Sequence, residues 1–350
     1  MLSDQVLGSI LGRIPRLMIG VLGDLFLDRY LDLDDELTEL SLETGLNAYQ
    51  VVRVRSYPGA AGTVINNLVA LGVKRVCAIS VIGDDGEGYE LLRALDQLRT
   101  VDRNGVIQDG TRRTPTYTKP MLQKTGAPAM ELNRLDIKNR TPLSESGQES
   151  ILTFLQQVWK QLDALIISDQ VSETECGVVT TPVRNDLAKL GNAEPSKVIL
   201  TDSRERIGLF RSVWTKPNLR ECLQATEKGQ GLSGEGHLEE KYVRDLALQT
   251  GRPVFCTRGE YGILIGDPRP DSPRIMEVPA YPVGGPIDIV GAGDSANAAI
   301  TCALAAGADL EQAASFGCLV ASITIQQIGI TGTATQEQVR QRWREVQQKG

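Results

Sequence analysis

The sequence predicts an α/β fold: a mostly parallel sheet covered by helices on both faces, with a small β subdomain at one edge. Three observations carry this. Short β-rich runs alternate with runs of helical spacing along most of the chain, and such alternation marks strand–helix–strand crossovers. The chain has 350 residues, 41% of them hydrophobic, and so can bury a large core. Two stretches, 30–57 and 114–134, break the alternation.

Taken in order, "RLMIGVLGD" (16–24) reads as a strand ending in Gly-Asp. "AAGTVINNLVALG" (60–72) has helical spacing and stops at a glycine suited to closing a helix. "KRVCAISVIG" (74–83) reads as a strand and "EGYELLRALDQL" (87–98) as a helix. "DALIIS" (163–168), "KVILTD" (197–202), "SVWTKP" (212–217) and "RPVFCTR" (252–258) read as further strands, with helical runs between most of them. The stretch 30–57 begins acidic and ends β-branched, and 114–134 alternates like antiparallel strands. Together they predict a β lid. The last signal is "DIVGAGDSANAAITCALAAG" (288–307), a strand-like run, a Gly-Ala-Gly-Asp turn, and a helix of small residues.

Charge and composition narrow the function. Net charge is -7 and no basic block runs through the chain, which argues against nucleic acid and against a polybasic membrane patch. The first 24 residues lack a basic start and are broken by Gly12, Arg13, Pro15 and Arg16, so no signal peptide is expected. No run reaches a membrane span. Six cysteines stand far apart without a CxxC pair, which predicts buried, reduced thiols and a cytoplasmic protein. His237 is the only histidine, in a glycine-rich stretch that reads as an exposed loop. One histidine excludes HExxH zinc chemistry and leaves a Ser-His-Asp triad without a matching nucleophile motif.

In open parallel sheets, ligands bind beyond the carboxyl ends of the strands. Gly23-Asp24, Ser168-Asp169, Thr201-Asp202, Pro217-Asn218, Thr257-Arg258 and Gly291–Asp294 all stand at such ends. The Gly-Ala-Gly-Asp turn has three readings. Asp294 could cap the helix. Gly291, Gly293 and Ala296 could form a dinucleotide loop, but that fingerprint normally opens a first βαβ unit, and Asp294 would repel the pyrophosphate. In the third reading, bare N–H groups at a helix start hold a transferring phosphoryl group while Asp294 takes the proton of an attacking hydroxyl.

These motifs resemble those of the ribokinase-like (PfkB-type) sugar kinases. The resemblance runs from about Leu17 to Thr335 and rests on Asp288, the GAGD turn, "AAGADLEQAASFG" and "PGAAGTVINNLVALG". Within the family, the heptose-7-phosphate kinases are the most similar branch. The shared features are Gly23-Asp24 with Leu27, Asp28 and Tyr30, Arg134-Leu135-Asp136, Ser168-Asp169, Pro217–Glu221 and Thr257–Gly262.

The resemblance implies one ribokinase-like three-layer α/β/α kinase domain over 1–350 that uses ATP with Mg²⁺. It implies Asp294 as base and Gly291, Ala292 and Gly293 as anion hole. Asp24, Asp28, Gly59, Thr63, Asn67, Arg134 and Asp169 would meet the sugar or sugar phosphate. Asn218, Glu221, Thr257, Arg258, Gly259, Gly262 and Arg204 would meet ATP. Asn218 and Glu221 would serve Mg²⁺, and Asp288 a monovalent cation such as K⁺. Asn218 and Glu221 also suit a plain capping box. A homodimer through the lid is implied as well. Three positions depart from the pattern: Thr63 replaces an asparagine, Gln170 a frequent tyrosine, and Arg204 a common lysine. The bifunctional heptose enzymes carry a nucleotidyltransferase region with an HxGH motif, which this sequence is expected to lack.

Overall fold

The computed structural model describes residues 2–226, 238–269 and 273–349. Strands and helices alternate through the first half: α1 (Asp4–Arg13), β1 (Met18–Gly23), β2 (Leu25–Leu40), β3 (Asn47–Ala60), α2 (Ala61–Ala70), β4 (Arg75–Gly83), α3 (Gly86–Asp96) and β5 (Val101–Asp109). Then come β6 (Thr116–Gln123), β7 (Met130–Glu131), β8 (Leu135–Ile137), α4 (Glu145–Trp159), β9 (Ala164–Asp169) and α5 (Thr181–Ala193). The second half holds β10 (Val198–Ser203), β11 (Trp214–Thr215), α6 (Leu219–Thr226), α7 (Leu238–Thr250), β12 (Val254–Thr257), β13 (Ile263–Asp267) and β14 (Arg274–Val278). Three helices close the chain: α8 (Ala292–Ala305), α9 (Leu310–Thr324) and α10 (Gln336–Lys349).

The main sheet has nine strands in the order β14-β13-β12-β11-β10-β9-β1-β4-β5. From β12 to β5 every neighbouring pair is parallel, and β13 runs antiparallel to both β12 and β14. The pleat sends alternate side chains to opposite faces. Ala164, Ile166, Val198 and Leu200 join one apolar core with α2, α8 and α9. Leu165, Ile167 and Ile199 join a second with α4 and α5. Helices therefore cover both faces, which makes the fold the three-layer α/β/α kind.

The second sheet has five strands, β3-β2-β6-β7 with β8 also against β6, and contains most of 30–57 and 114–134. β2 and β3 are antiparallel, but β6 runs parallel to β2, with Leu27 beside Thr116 and Asp34 beside Gln123. Antiparallel pairing on β6 comes instead from β7, within 114–134, and from β8, just beyond it. Period-two spacing shows that a segment is a strand but not which way its neighbour runs. Arg29 anchors this sheet to α3 through Glu90 at 2.6 Å, and Ser56 donates to the same Glu90 at 2.8 Å.

One expected strand is absent. Residues 286–290 form no strand, and Ile287, Ile289 and Val290 are exposed. The stretch is too short and too close to the glycine turn to pair. All six cysteines are buried and unpaired. No helix among the described residues is long and apolar enough to cross a membrane. His237 lies outside the described residues.

Candidate active site

A cavity of about 850 Å³ opens where the C-terminal ends of β10, β11 and β12 meet the start of α8. Its polar end is formed by Asp202, Arg204, Lys216, Asn218, Glu221 and Asp294. Its apolar end is formed by Ile263, Tyr281, Val283, Cys318, Ala321 and Ile325. A cavity with one charged and one greasy end suits a ligand built the same way.

The helix start defines the polar end. Gly291 takes φ 80°, ψ 0°, and a Cβ there would meet Thr331 at 2.5 Å, so glycine is required twice over. Gly291 is the residue before the helix and has no capping side chain. Asp294 is therefore not the cap. It stands at the third helical position, free to project into the cavity. The turn also follows an irregular segment, not a strand, which removes the dinucleotide-loop reading. The Ala292 N–H donates to Ile289 O at 3.1 Å. Ser295 N–H donates to Gly291 O at 2.9 Å, so Gly293 and Asp294 are left as the orphan donors of the first turn, whereas the sequence reading centred the hole on Gly291, Ala292 and Gly293. Beyond Ser295, α8 is buried through Leu304.

Burial pushes the Asp294 carboxyl up to about 7, with the Asp202 charge adding to it and Lys216 and Arg204 opposing. Asp28, on β2, adds a smaller upward push, which brings the small sheet into electrostatic reach of Asp294. Glu221 is raised as well, by burial and then by Asp202. Lys216 is a site residue that sequence reasoning missed. It is 2% exposed and pairs with Asp202 at 3.1 Å.

The remaining expected residues divide. Thr257, Gly259 and Gly262 line the cavity with Arg204, Asn218 and Glu221. Asn218 and Glu221 also cap α6 reciprocally, so the capping geometry and the cavity position coexist. Arg258 is turned away, held by Glu239 at 3.1 Å and by Glu277, and is a brace between α7 and β14. Gly59 lies on β3 beside Asp28, and a Cβ there would come within 2.7 Å of Asp28 Oδ2. Thr63 approaches the Gly291 turn, 3.6 Å from the place a Cβ would occupy.

Four expected sugar contacts do not line the cavity and have partners of their own. Asp24 is buried and accepts the N–H groups of Gln170, Val171 and Val178 at 2.8, 3.0 and 2.7 Å. Burial, then the Asp169 charge, pushes it up to about 6. Asp169 is fully buried against Arg206 at 2.6 Å and Ser203 at 2.6 Å. Asn67 is fully buried and donates to Thr63 O at 3.0 Å. Arg134 forks onto Asp136 at 2.6 and 2.8 Å and stacks over Tyr117 at 3.9 Å. Their residue types were right for polyol recognition, but unsatisfied backbone groups and opposite charges claim them first. Asp288 accepts from Val290 at 3.0 Å and from Gly329 at 3.1 Å, tying the turn to the end of α9.

Comparison with known proteins gives the family and the fold. The pattern of the pfkB family carbohydrate kinases matches residues 27–337. The bifunctional protein HldE of Sulfurimonas denitrificans is 31% identical over 323 residues, covering 90% of this chain and 61% of that protein. HldE of Trichlorobacter lovleyi is 28% identical over 341 residues, covering 97% of this chain and 65% of the relative. The chain thus spans less than two thirds of these relatives. In fold, it is similar to Arabidopsis thaliana ribokinase complexed with ribose and ATP, with a TM-score of 0.66 at 14% identity, covering 93% of this chain and 98% of that one. Phosphofructokinase-2 of Escherichia coli gives 0.65 at 16%, covering 95% and 99%. With the Gly-Ala-Gly-Asp turn, the two-ended cavity and a family match over most of its length, the chain belongs to the pfkB family of carbohydrate kinases.

Proposed function

We propose that this chain transfers the γ-phosphoryl group of ATP to a hydroxyl of a sugar or sugar phosphate, with a heptose 7-phosphate-like acceptor favoured. The observation that carries the reading is Asp294 in the first turn of α8, beside orphan N–H groups and facing a cavity with one polar and one apolar end. The apolar end suits a purine base. Asp28, Gly59 and Thr63 mark the sugar side, with Gln170 in the cavity wall. Asp294 takes the hydroxyl proton as the oxygen attacks phosphorus. The Gly293 and Asp294 N–H groups, with Arg204, hold the phosphoryl oxygens.

Asn218 and Glu221 are the residues that would hold Mg²⁺, through water. One carboxylate with an amide fits an ion that keeps most of its waters and binds mainly through phosphates. Bound with ATP, Mg²⁺ would neutralise phosphate charge. Asp288 is the carboxylate a potassium ion beside the turn would use.

Support for the heptose branch comes from the HldE relatives. One observation favours a second reading, an unphosphorylated acceptor: Arg134 already holds Asp136. The small sheet acts as a lid, and its exposed Leu40, Leu46, Val52 and Val54 suit pairing with a second copy. Unpaired buried thiols suit the reducing cytoplasm.

The test is ADP release with a panel of sugars, sugar phosphates and nucleosides. Highest kcat/KM with a heptose 7-phosphate supports the favoured acceptor. Preference for a free sugar or nucleoside moves the assignment to the second reading. Absence of turnover on the whole panel refutes the kinase reading.

A further inference from the structure

The apolar end of the cavity has two walls. One is the segment between β14 and the glycine turn, with Tyr281, Pro282 and Val283; the other is α9, with Cys318, Ser322 and Ile325. The segment forms no strand or helix between 279 and 290. Its place therefore depends on separate ties for its polar groups. Tyr281 OH meets Ser315 Oγ at 2.9 Å, and the Asp288 N–H donates to Ile325 O at 2.8 Å. Between these two ties the Pro282 carbonyl accepts from Arg342 Nη2, on α10. Nε of the same guanidinium donates to Ser322 Oγ at 3.2 Å. The Ser322 hydroxyl gives its own proton to Leu319 O at 2.7 Å, which leaves a lone pair for Arg342. One planar fork thus ties the two walls together from behind.

The helix that carries the fork is itself well anchored. Val339 and Trp343 sink into the main core. The Trp343 ring meets Tyr281 edge-on, with centroids 6.3 Å apart at 76°, and its indole N–H donates to Asp4 on α1. The Arg342 side chain is 11% exposed, although it does not line the cavity. It stands beyond residues 27–337, the stretch that the family pattern matches.

Resting on the kinase reading above, we propose that Arg342 is a positioning residue for the nucleotide: it fixes segment 279–290 against α9, so that the apolar end of the cavity keeps one width, preformed for a purine base. A wall already in place spares the ligand the cost of ordering it on binding. Without the fork the Pro282 carbonyl loses its donor, and the segment keeps its ties at Tyr281 and Asp288 alone. The effect falls on nucleotide affinity and not on bond-making, since Asp294 stands at the other, polar end.

A helix that only packs and a helix that shapes the nucleotide site give different results. Kinetics with ATP varied, calorimetric titration with Mg-ATP and Mg-ADP, and Tm are measured on the wild type, Arg342→Met and Arg342→Lys. For Arg342→Met we expect the ATP KM to rise about 10- to 100-fold, the worth of a hydrogen bond from a charged group written as a ratio. At saturating ATP, kcat and the acceptor KM should stay within about threefold, as when uniform binding is lost. Affinity for ATP and for ADP should fall by the same factor, because both carry the base. Arg342→Lys keeps the charge and can reach one of the two oxygens, so it should lie between. A lower Tm with an unchanged ATP KM would make Arg342 a packing residue and overturn the proposal. A loss confined to ATP, or to kcat, would overturn it as well. Should Arg342→Met fail to fold, the smaller rise of the ATP KM in Arg342→Lys decides. If the wild-type protein binds ATP yet turns over no sugar, the kinase reading falls and the calorimetric comparison still decides the role of Arg342. If it binds no nucleotide, both fall.

Discussion

Asn218 and Glu221 cap each other: the Asn218 N–H donates to Glu221 Oε2 at 2.8 Å, and the Glu221 N–H donates to Asn218 Oδ1 at 2.9 Å. The pair starts α6 and lines the cavity at once. Structural and chemical roles can be separated by choosing the right substitution. Asn218→Ala should cost about 1 kcal/mol of stability, the usual worth of such a cap. Glu221→Gln keeps an acceptor for the Asn218 N–H, so its unfolding midpoint should barely move. Its Mg-ATP turnover should nonetheless fall about 10- to 100-fold, as when groups that orient a metal are altered. Denaturant unfolding beside kinetics checks both, and a Glu221→Gln enzyme of normal activity would leave only the cap.

Asp294→Asn should fold, bind nucleotide and lose turnover by about 10²- to 10⁴-fold, the range for removal of a general base. Asparagine has nearly the same shape and cannot accept the proton. Near-normal turnover in this variant would end the assignment of Asp294 as base.

The raised Asp294 carboxyl makes two pH predictions with opposite signs. A base must be ionised, so kcat/KM should rise with pH through about 7. Stability should run the other way. The unfolded carboxyl releases its proton near its ordinary 3.8, and the folded one holds it to about 7. Between those values the folded state binds more protons, so this group makes stability fall as pH rises across the window. Asp294→Asn should therefore be stabilised relative to wild type more at pH 8 than at pH 5, read as the difference in Tm. A Tm difference that stays constant with pH would contradict the buried setting of Asp294.

Gly59→Ala should act on the sugar side alone. The new methyl would come within 2.7 Å of Asp28 Oδ2 and push that carboxylate off its place. Acceptor kcat/KM should fall by up to about 10²-fold, as small misplacements at a reacting centre do, while ATP affinity is unchanged. A matching loss of ATP affinity would show that Asp28 belongs to the nucleotide side.

The parallel sheet could be read from the sequence because β1, β4, β9 and β10 are apolar runs bounded by turn residues, a local property. The polar strand ends at Asp202, Asn218 and Thr257 do converge on the cavity, and Asp294 joins them from the first turn of α8, with no strand before it. Asp24, Asp169 and Arg258 stand at equivalent ends but are taken by other partners: Asp24 and Asp169 by groups in the neighbouring loops, Arg258 by Glu239 on α7 and Glu277 on β14. Which partner wins depends on the path of loops such as 170–178, and spacing carries no record of that. Lys216 stayed hidden for the opposite reason. A lysine before Pro217-Asn218 reads as surface, and only the pairing of β11 with β10 and β12 sinks it beside Asp202.

Helix α8 is buried along nearly all its length, from Ser295 to Leu304, while the outer part of β2 and β3 is exposed. Local opening is governed by how much packing must be lost, so these two regions sit at opposite ends of the stability scale within one molecule. Amide protons along α8 should exchange with solvent only when the whole chain unfolds. Those near the β2–β3 turn should exchange through small openings that leave the core intact. Under the function proposed above, the small sheet can then open and close many times on a helix that keeps its place, so admission of sugar and the aim of Asp294 become independent variables. Evolution can retune one without disturbing the other, and this is a physical route by which a kinase of this shape changes acceptor while retaining its chemistry.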